Sequence, residues 1–200
     1  MNLLILYPSL FSSFSKFERK LGNILSEKVP EKICCCSDSN GFIERYMSNH
    51  LAGVTKEGIS EFGFEQVTHA VIFDDGEEFV EEFADLKLRG VVVRRIRIKI
   101  TRVINIKKDR EYKGFTSNEK YEYIGRGSYW GNPYSMYEDG DDRDEVIRKF
   151  KYDFDFEKFP NKDKSEVYKL AGKRLGCYCK PEACHGDVLA DFLNSWDDGE

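Results

Sequence analysis

The segment Val67-Thr68-His69-Ala70-Val71-Ile72-Phe73 decides the fold class, together with the residues downstream of it: Asp74-Asp75-Gly76, then Phe79, Val80, Phe83 and Leu86, then Gly90-Val91-Val92-Val93. An apolar run this short, rich in β-branched residues, reads as a buried strand, and the acidic-glycine triplet turns the chain. Apolar residues three and four apart form one stripe of a helix, and Gly90 stands where a helix ends in the left-handed conformation. The valine run then starts another strand, which alternating basic residues can carry on to Ile100. Strand, helix, strand in this rhythm needs a crossover connection, and a crossover makes the two strands parallel.

The same rhythm extends upstream. Leu3-Leu4-Ile5-Leu6-Tyr7 is an apolar run stopped by Pro8, and Phe14, Phe17, Leu21, Ile24 and Leu25 recur at helical spacing behind a Ser12 or Ser13 cap. Lys32 to Cys36 is a further buried run, broken by Ser37-Asp38-Ser39-Asn40-Gly41. Phe42, Ile43, Tyr46, Met47 and Leu51 form another stripe, ended by Gly53, and a polar connection leads on to Val67. Open parallel sheets bind ligands at the carboxyl ends of their strands. The candidate loops are therefore Tyr7-Pro8-Ser9, Ser37 to Gly41, and Asp74 to Glu77. Asp74-Asp75 reads either as a ribose-hydroxyl acceptor or as a turn-forming pair.

Downstream, residues 101–120 read as a linker or exposed ribbon, and 121–196 as a second unit. It starts with the strand Tyr121 to Ile124 and a glycine-rich loop from Gly125 to Pro133. Asp142-Arg143-Asp144-Glu145 opens a helix with a carboxylate cap, and Val146, Ile147, Phe150 and Phe154 supply its buried side. A short helix holds Val167 and Leu170, a strand runs from Leu175 to Cys179, and a last helix begins at His185 or Gly186. Asp197 to Glu200 reads as a frayed acidic tail. The expected fold class is α/β: a parallel-sheet unit over residues 1–100, then a small α+β domain.

Composition narrows the function classes. No apolar run approaches the ~20 residues of a membrane span. No basic region precedes Leu3 to Leu6, so a signal peptide is not expected. The six cysteines, Cys34-Cys35-Cys36 and Cys177, Cys179 and Cys184, then read as reduced thiols in a cytoplasmic protein. The first three lie inside an apolar run and read as core. The formal charge of −5 argues against binding nucleic acid through its phosphates. The basic stretch Arg89, Arg94, Arg95, Arg97, Lys99, Arg102, Lys107 and Lys108 reads as a solvated strand side and linker.

The chemistry-bearing segment is Cys177-Tyr178-Cys179-Lys180-Pro181-Glu182-Ala183-Cys184-His185. On a strand Cys177 and Cys179 face the same side, and Cys184 and His185 reach a helix start, where exposed amides favour a thiolate. Three readings fit. Cys177, Cys179, Cys184 and His185 can hold zinc, although neighbouring Cys-His ligands strain a tetrahedron. Cys184 and His185 can be a catalytic nucleophile and acid–base group. Or the thiols are buried and the histidine caps the helix. The loop Gly125-Arg126-Gly127-Ser128-Tyr129-Trp130-Gly131-Asn132-Pro133 is the natural partner. Its glycines allow close backbone approach, Arg126 can clamp a phosphate or carboxylate, and Trp130 or Tyr129 can stack on a base. A tight structural turn explains the loop equally well.

On these motifs residues 102–195 resemble a small domain family of unknown function found in bacteria and phages, with the pattern YIGRxSxWGNPF and CWCxPxPCHxDVL. The matching residues are Tyr123-Ile124-Gly125-Arg126-Gly127-Ser128, Trp130-Gly131-Asn132-Pro133-Tyr134, Arg143, and Cys177 through Leu189. Tyr134 and Tyr178 are aromatic exchanges, and the family brings no known reaction. The first hundred residues resemble the Rossmann-like superfamily of lysine-decarboxylase-like phosphoribohydrolases and nucleoside deoxyribosyltransferases. Ser37 to Tyr46 stands where that group has a glycine-rich loop opening a helix, and Val67 to Val93 echoes its next unit. The Gly-Gly pair and the later Gly-Thr loop of that group are absent here. The resemblances imply recognition or processing of a nucleotide-like small molecule, with N-glycosidic cleavage or transfer as the reaction class. Gly125, Arg126, Gly127, Ser128, Trp130, Asn132 and Arg143 would bind the ligand, and Cys184 and His185 would react. A non-enzymatic phage–host interaction protein and a zinc-stabilised binding module are the alternatives.

Overall fold

The computed structural model describes residues 1–60, 62–112, 114, 117–136 and 140–200. The chain forms two compact units, Met1–Ile98 with Ser195–Glu200, and Lys99–Asn194. No helix among the described residues is long and apolar enough to cross a membrane.

The first unit is a five-stranded, all-parallel sheet in the order β3-β2-β1-β4-β5. Its strands are β1 (Asn2–Leu6), β2 (Lys32–Cys35), β3 (Thr55–Gly58), β4 (His69–Asp74) and β5 (Val92–Arg97). Helices α1 (Phe14–Leu25), α2 (Phe42–His50) and α3 (Val80–Leu88) make the crossovers. The order reverses between β1 and β4, the pattern of a Rossmann-like sheet. Central strands bury both faces. Leu4, Leu6, Cys34, Ala70 and Ile72 pack with Leu86, Phe64 and Val91. Phe73 stacks on Phe17 of α1 at 4.9 Å, and Phe17 meets Phe42 of α2. Each such buried side chain contributes about 1.5–3 kcal/mol. Ser13 caps α1 by accepting the Lys16 amide hydrogen.

Two sequence expectations change here. Residues 55–58, expected as polar connection, form β3, an exposed edge strand whose polar residues hide the pattern. The valine-started strand ends at Arg97 instead of running to Ile100. The acidic tail is tied down: Lys16 pairs with Asp198, both nearly buried, and Arg19 reaches Asp197 at 2.6 Å.

The second unit has a three-stranded sheet in the order β6-β8-β7, again parallel throughout. The strands are β6 (Arg102–Asn105), β7 (Tyr121–Tyr123) and β8 (Arg174–Cys177). β6 lies in the stretch expected as a linker or ribbon. Its residues are partly buried and of mixed polarity, so it shows no periodicity. Helices α4 (Arg143–Asp155) and α5 (His185–Ser195) and a 3-10 turn at Lys164–Leu170 cover the sheet. Phe150, Phe154, Val167, Leu175, Leu189 and Leu193 fill the core with Ile124 and Trp130. Asp142 caps α4 by accepting from the Glu145 amide, as the sequence predicts.

Candidate functional site

Parallel pairing decides what meets in the second unit. β7 and β8 end at the same edge of the sheet, with Tyr123 beside Gly176. The glycine loop that leaves β7 and the cysteine segment that leaves β8 therefore emerge side by side. They share a cleft of about 200 Å³ lined by Gly125, Arg126, Asn132, Tyr134, Arg143, Tyr178 and the Cys177, Cys179, Cys184 and His185 side chains.

The loop is closed by its own backbone. Ser128 donates its amide and hydroxyl hydrogens to the Gly125 carbonyl at 3.1 and 2.7 Å, and the Gly131 amide donates to the Ser128 carbonyl at 3.0 Å. Gly127 adopts φ +85°. A Cβ on Gly131 would lie 2.6 Å from the Gly125 carbonyl oxygen, so glycine is required there. Asn132 donates to the Val146 carbonyl of α4 at 3.0 Å and accepts from the Tyr134 amide at 2.9 Å, which fixes the loop on α4. Arg126 is exposed and points to no carboxylate among the described residues.

The expected site residues divide. Gly125, Arg126, Asn132, Arg143, Cys177, Cys179, Cys184 and His185 come together. Gly127 and Ser128 shape the loop from outside the cleft lining. Trp130 is 4% exposed and packs edge-on against Phe154 in the core, so its ring offers a ligand no stacking face. Tyr134, Asn105 and Asp187 also build the site; the motifs include Tyr134 and Asp187 without showing their roles, and Asn105 lies outside them. Asn105, at the end of β6, donates to the carbonyls of Tyr178 and Lys180 and so pins the cysteine segment. An asparagine in a stretch without periodicity gives no warning of this. Asp187 accepts from the Cys184 amide at 2.9 Å and pairs with Lys180 at 2.6 Å; its place three residues into the last helix is the available signal.

Inside the cleft Cys177 and Cys179 sulfurs lie 3.5 Å apart, and the Cys184 sulfur lies 3.6 Å from His185 Nδ1. Ligand atoms of Cys177, Cys184 and His185 all lie within 4.8 Å of one another, and this cluster could hold a metal ion. His185 Nε2 is 2.9 Å from the Ile124 carbonyl oxygen. A carbonyl only accepts, so Nε2 carries the hydrogen and Nδ1 keeps its lone pair toward the sulfurs. The Gly186 amide donates to the Cys184 sulfur at 3.4 Å. Arg143 donates to the Ala183 carbonyl at 3.1 Å and stands beside Cys179, whose thiolate it favours.

The electrostatics correct one expectation. A helix start predicts a thiolate at Cys184. Instead a hydrogen bond to Cys177, reinforced by burial, pushes the Cys184 thiol up. The same bond draws Cys177 down to about 5, against the opposing effect of burial. Burial holds the His185 imidazole below its ordinary value.

In the first unit the three candidate loops are occupied by their own side chains. The Asp38 carboxylate accepts the Ile43 and Glu44 amides at 3.0 Å each, the Tyr7 hydroxyl at 2.6 Å and Lys56 at 3.1 Å. Asn40 donates to the Ser9 and Phe11 carbonyls. Asp74 accepts the Gly76 amide and pairs with Arg95, and Asp75 accepts the Glu77 and Glu78 amides. Asp74-Asp75 thus does turn-forming work. Cys34 and Cys35 are buried, as expected of core thiols, whereas Cys36 is only half-buried against that core, and Arg89 pairs with Asp85 on the solvated side of α3.

Residues 104–195 match a domain of unknown function, DUF4326. Over 72 residues the chain is 42% identical to an uncharacterized 12.4 kDa protein in the nrdA-td intergenic region of Enterobacteria phage T4. The match covers 36% of this chain and 65% of that protein, just under two thirds of its length. No solved structure matches the chain. The minimal SLOG domain matches residues 1–104, where the parallel sheet with its reversal between β1 and β4 stands. The chain belongs to the minimal SLOG domain family.

Proposed function

We propose that this protein recognises a nucleotide-like small molecule in the cleft of its second unit, and that the Cys/His cluster forms a metal-held wall of that cleft. The observation that carries the reading is Arg126. It stands at the mouth with no carboxylate partner among the described residues, 17 residues before Arg143 in sequence but in the same lining. Two arginines in one lining suit a phosphate or carboxylate, because a guanidinium offers several N–H donors and Arg143 spends only part of its fork on the Ala183 carbonyl. Tyr134 and Tyr178 in the same lining offer rings for a base. The minimal SLOG match, over the first unit, supports a nucleotide-related ligand for the protein, while the cleft itself rests on its own two arginines and tyrosines.

In this reading Cys184 and His185 are metal ligands and do not act as nucleophile and base. Cys184 is 1% exposed, and the outer nitrogen of His185 is committed to Ile124. Both residues line the cleft from its buried end, and this enclosure supports a ligand role over a nucleophilic one.

Isothermal titration of the full chain with ADP-ribose, nucleoside monophosphates and inorganic phosphate tests the reading. At least one of these is expected to bind, and Arg126→Ala is expected to weaken it roughly ten- to a hundredfold, the worth of a charged hydrogen bond. Thermal stability should stay unchanged, since Arg126 is exposed. Equal binding by Arg126→Ala, or no binding by any of these, overturns it.

A further inference from the structure

We infer that Cys177, Cys179, Cys184 and Nδ1 of His185 bind one zinc ion in a closed tetrahedral site. The inference rests on the reading of the cluster as a metal centre and names the ion, the ligand set and the coordination number.

Distances come first. Zinc bonds of about 2.3 Å to sulfur and 2.0–2.1 Å to nitrogen, at tetrahedral angles, set ligand atoms roughly 3.6–3.8 Å apart. The structure has 3.5 Å between the Cys177 and Cys179 sulfurs and 3.6 Å between the Cys184 sulfur and His185 Nδ1. Cys177, Cys184 and His185 already enclose one point, within 4.8 Å of one another, while the Cys179 sulfur stands outside that group beside Cys177 and must close in on the ion. Cys179, held beside Cys177, is the remaining donor on the solvent side. Adjacent Cys-His ligands are accommodated at the junction of loop and helix. Cys184 ends the loop before α5, while His185 belongs to its first turn, and their ligand atoms already stand 3.6 Å apart, close to the separation a tetrahedron needs.

The surroundings argue the same way. A carbonyl on the far nitrogen fixes the imidazole tautomer that presents Nδ1 to the ion, the usual outer arrangement of a ligating histidine. The Gly186 amide donates to the Cys184 sulfur, which stabilises a thiolate. Three thiolates and one zinc carry a net charge of −1, and Arg143 beside Cys179 offsets it. Binding displaces the thiol protons still held by the cluster to solvent, leaving zinc bound by three thiolates and a neutral imidazole. Soft sulfur and imidazole donors in a tetrahedron select zinc over magnesium or calcium. All six cysteines are free thiols, so no disulfide competes.

The site also explains why the segment folds so. β8 ends at Cys177, Asn105 holds the carbonyls of Tyr178 and Lys180, and Asp187 holds the Cys184 amide. Each device fixes one backbone stretch between ligands. With four protein donors the ion has no open position for substrate, so it ties β8 to α5 and shapes the cleft.

Elemental analysis of the full chain, purified without added metal, is expected to give one zinc per chain. Cobalt titrated into chelated protein is expected to give the intense visible bands of tetrahedral cobalt and thiolate-to-cobalt charge transfer. Cys179→Ser should keep the fold and lower zinc affinity roughly tenfold or more, while Cys36→Ser should bind normally. A different metal at full occupancy overturns the assignment of zinc but leaves a metal-held wall intact. Absence of metal together with no cobalt spectrum overturns both. Unchanged affinity in Cys179→Ser overturns the closed four-ligand site. The cobalt spectrum reads geometry in the unaltered chain, so misfolding of a variant does not cloud the outcome.

Discussion

His185 Nε2 lies 2.9 Å from the carbonyl oxygen of Ile124, the residue that links β7 to the glycine loop. One hydrogen bond thus ties the first turn of α5 to the strand from which the Arg126 loop springs. Both partners are buried, and Phe150 packs edge-on against the imidazole at 5.0 Å. His185→Ala therefore removes the bond, orphans a buried carbonyl and opens a cavity. With all metal chelated, the variant is expected to lose about 2–4 kcal/mol in urea unfolding of the full chain. A loss within about 0.5 kcal/mol of zero under chelation would show that histidine serves only as a ligand.

Parts of this arrangement are open to sequence reading and parts are not. The apolar run ending at Phe73 places β4, because burial on both faces leaves an unbroken apolar stretch, and the stripe of Phe79, Phe83 and Leu86 places α3, because burial on one side leaves a period. Thr55 to Gly58 and Arg102 to Asn105 leave none, since an exposed or short strand can be built from polar residues. At the site, Cys177, Cys184, His185 and Arg126 stand out by residue type and motif. Their meeting depends on β7 and β8 being parallel neighbours, which no local pattern encodes. Trp130 shows the opposite error. An aromatic residue in a glycine loop looks like a ligand platform, but its ring fills the core behind the loop.

Gly131 and Gly127 of that loop should respond differently to alanine. A Cβ at Gly131 would meet the Gly125 carbonyl oxygen at 2.6 Å and the Gly127 nitrogen at 3.2 Å, all backbone that cannot rotate aside. Gly131→Ala is expected to spread the loop, cost about 1–3 kcal/mol and weaken ligand binding in the cleft. Gly127 has open space around it and only its φ of +85° to maintain. Gly127→Ala is expected to cost about 1 kcal/mol through strain. Thermal unfolding and ligand titration of both variants check the order, and equal behaviour would contradict the backbone contact.

Asp38 gives the first unit a pH dependence with a definite sign. Burial alone would raise its carboxyl, but hydrogen bonds from Tyr7, the Ile43 and Glu44 amides and Lys56 together hold it below the ordinary value. A carboxyl depressed in the folded state binds protons more readily when unfolded. Its contribution is complete above the unfolded value of about 3.9 and fades as pH falls through the lower folded value. Asp38→Ala removes the α2 cap and leaves the Tyr7 hydroxyl without its acceptor, for an expected loss of about 2 kcal/mol at pH 7. The gap between wild type and variant should shrink below about pH 4. A gap constant down to about pH 2.5 in denaturant unfolding would mean the carboxylate charge is not what holds the loop.

Lys16 and Asp198 make the tail a structural part of the first unit. Their side chains are 6% and 9% exposed, so neither charge is hydrated once the pair is broken. Asp198→Ala should then strand a buried ammonium and destabilise the unit by about 3 kcal/mol. Lys16→Met in that background removes the stranded charge and refills its volume, and is expected to recover most of the loss. The double-mutant cycle isolates the coupling. Additive effects would show that the tail is held by its backbone and by Arg19, and that the buried pair adds nothing.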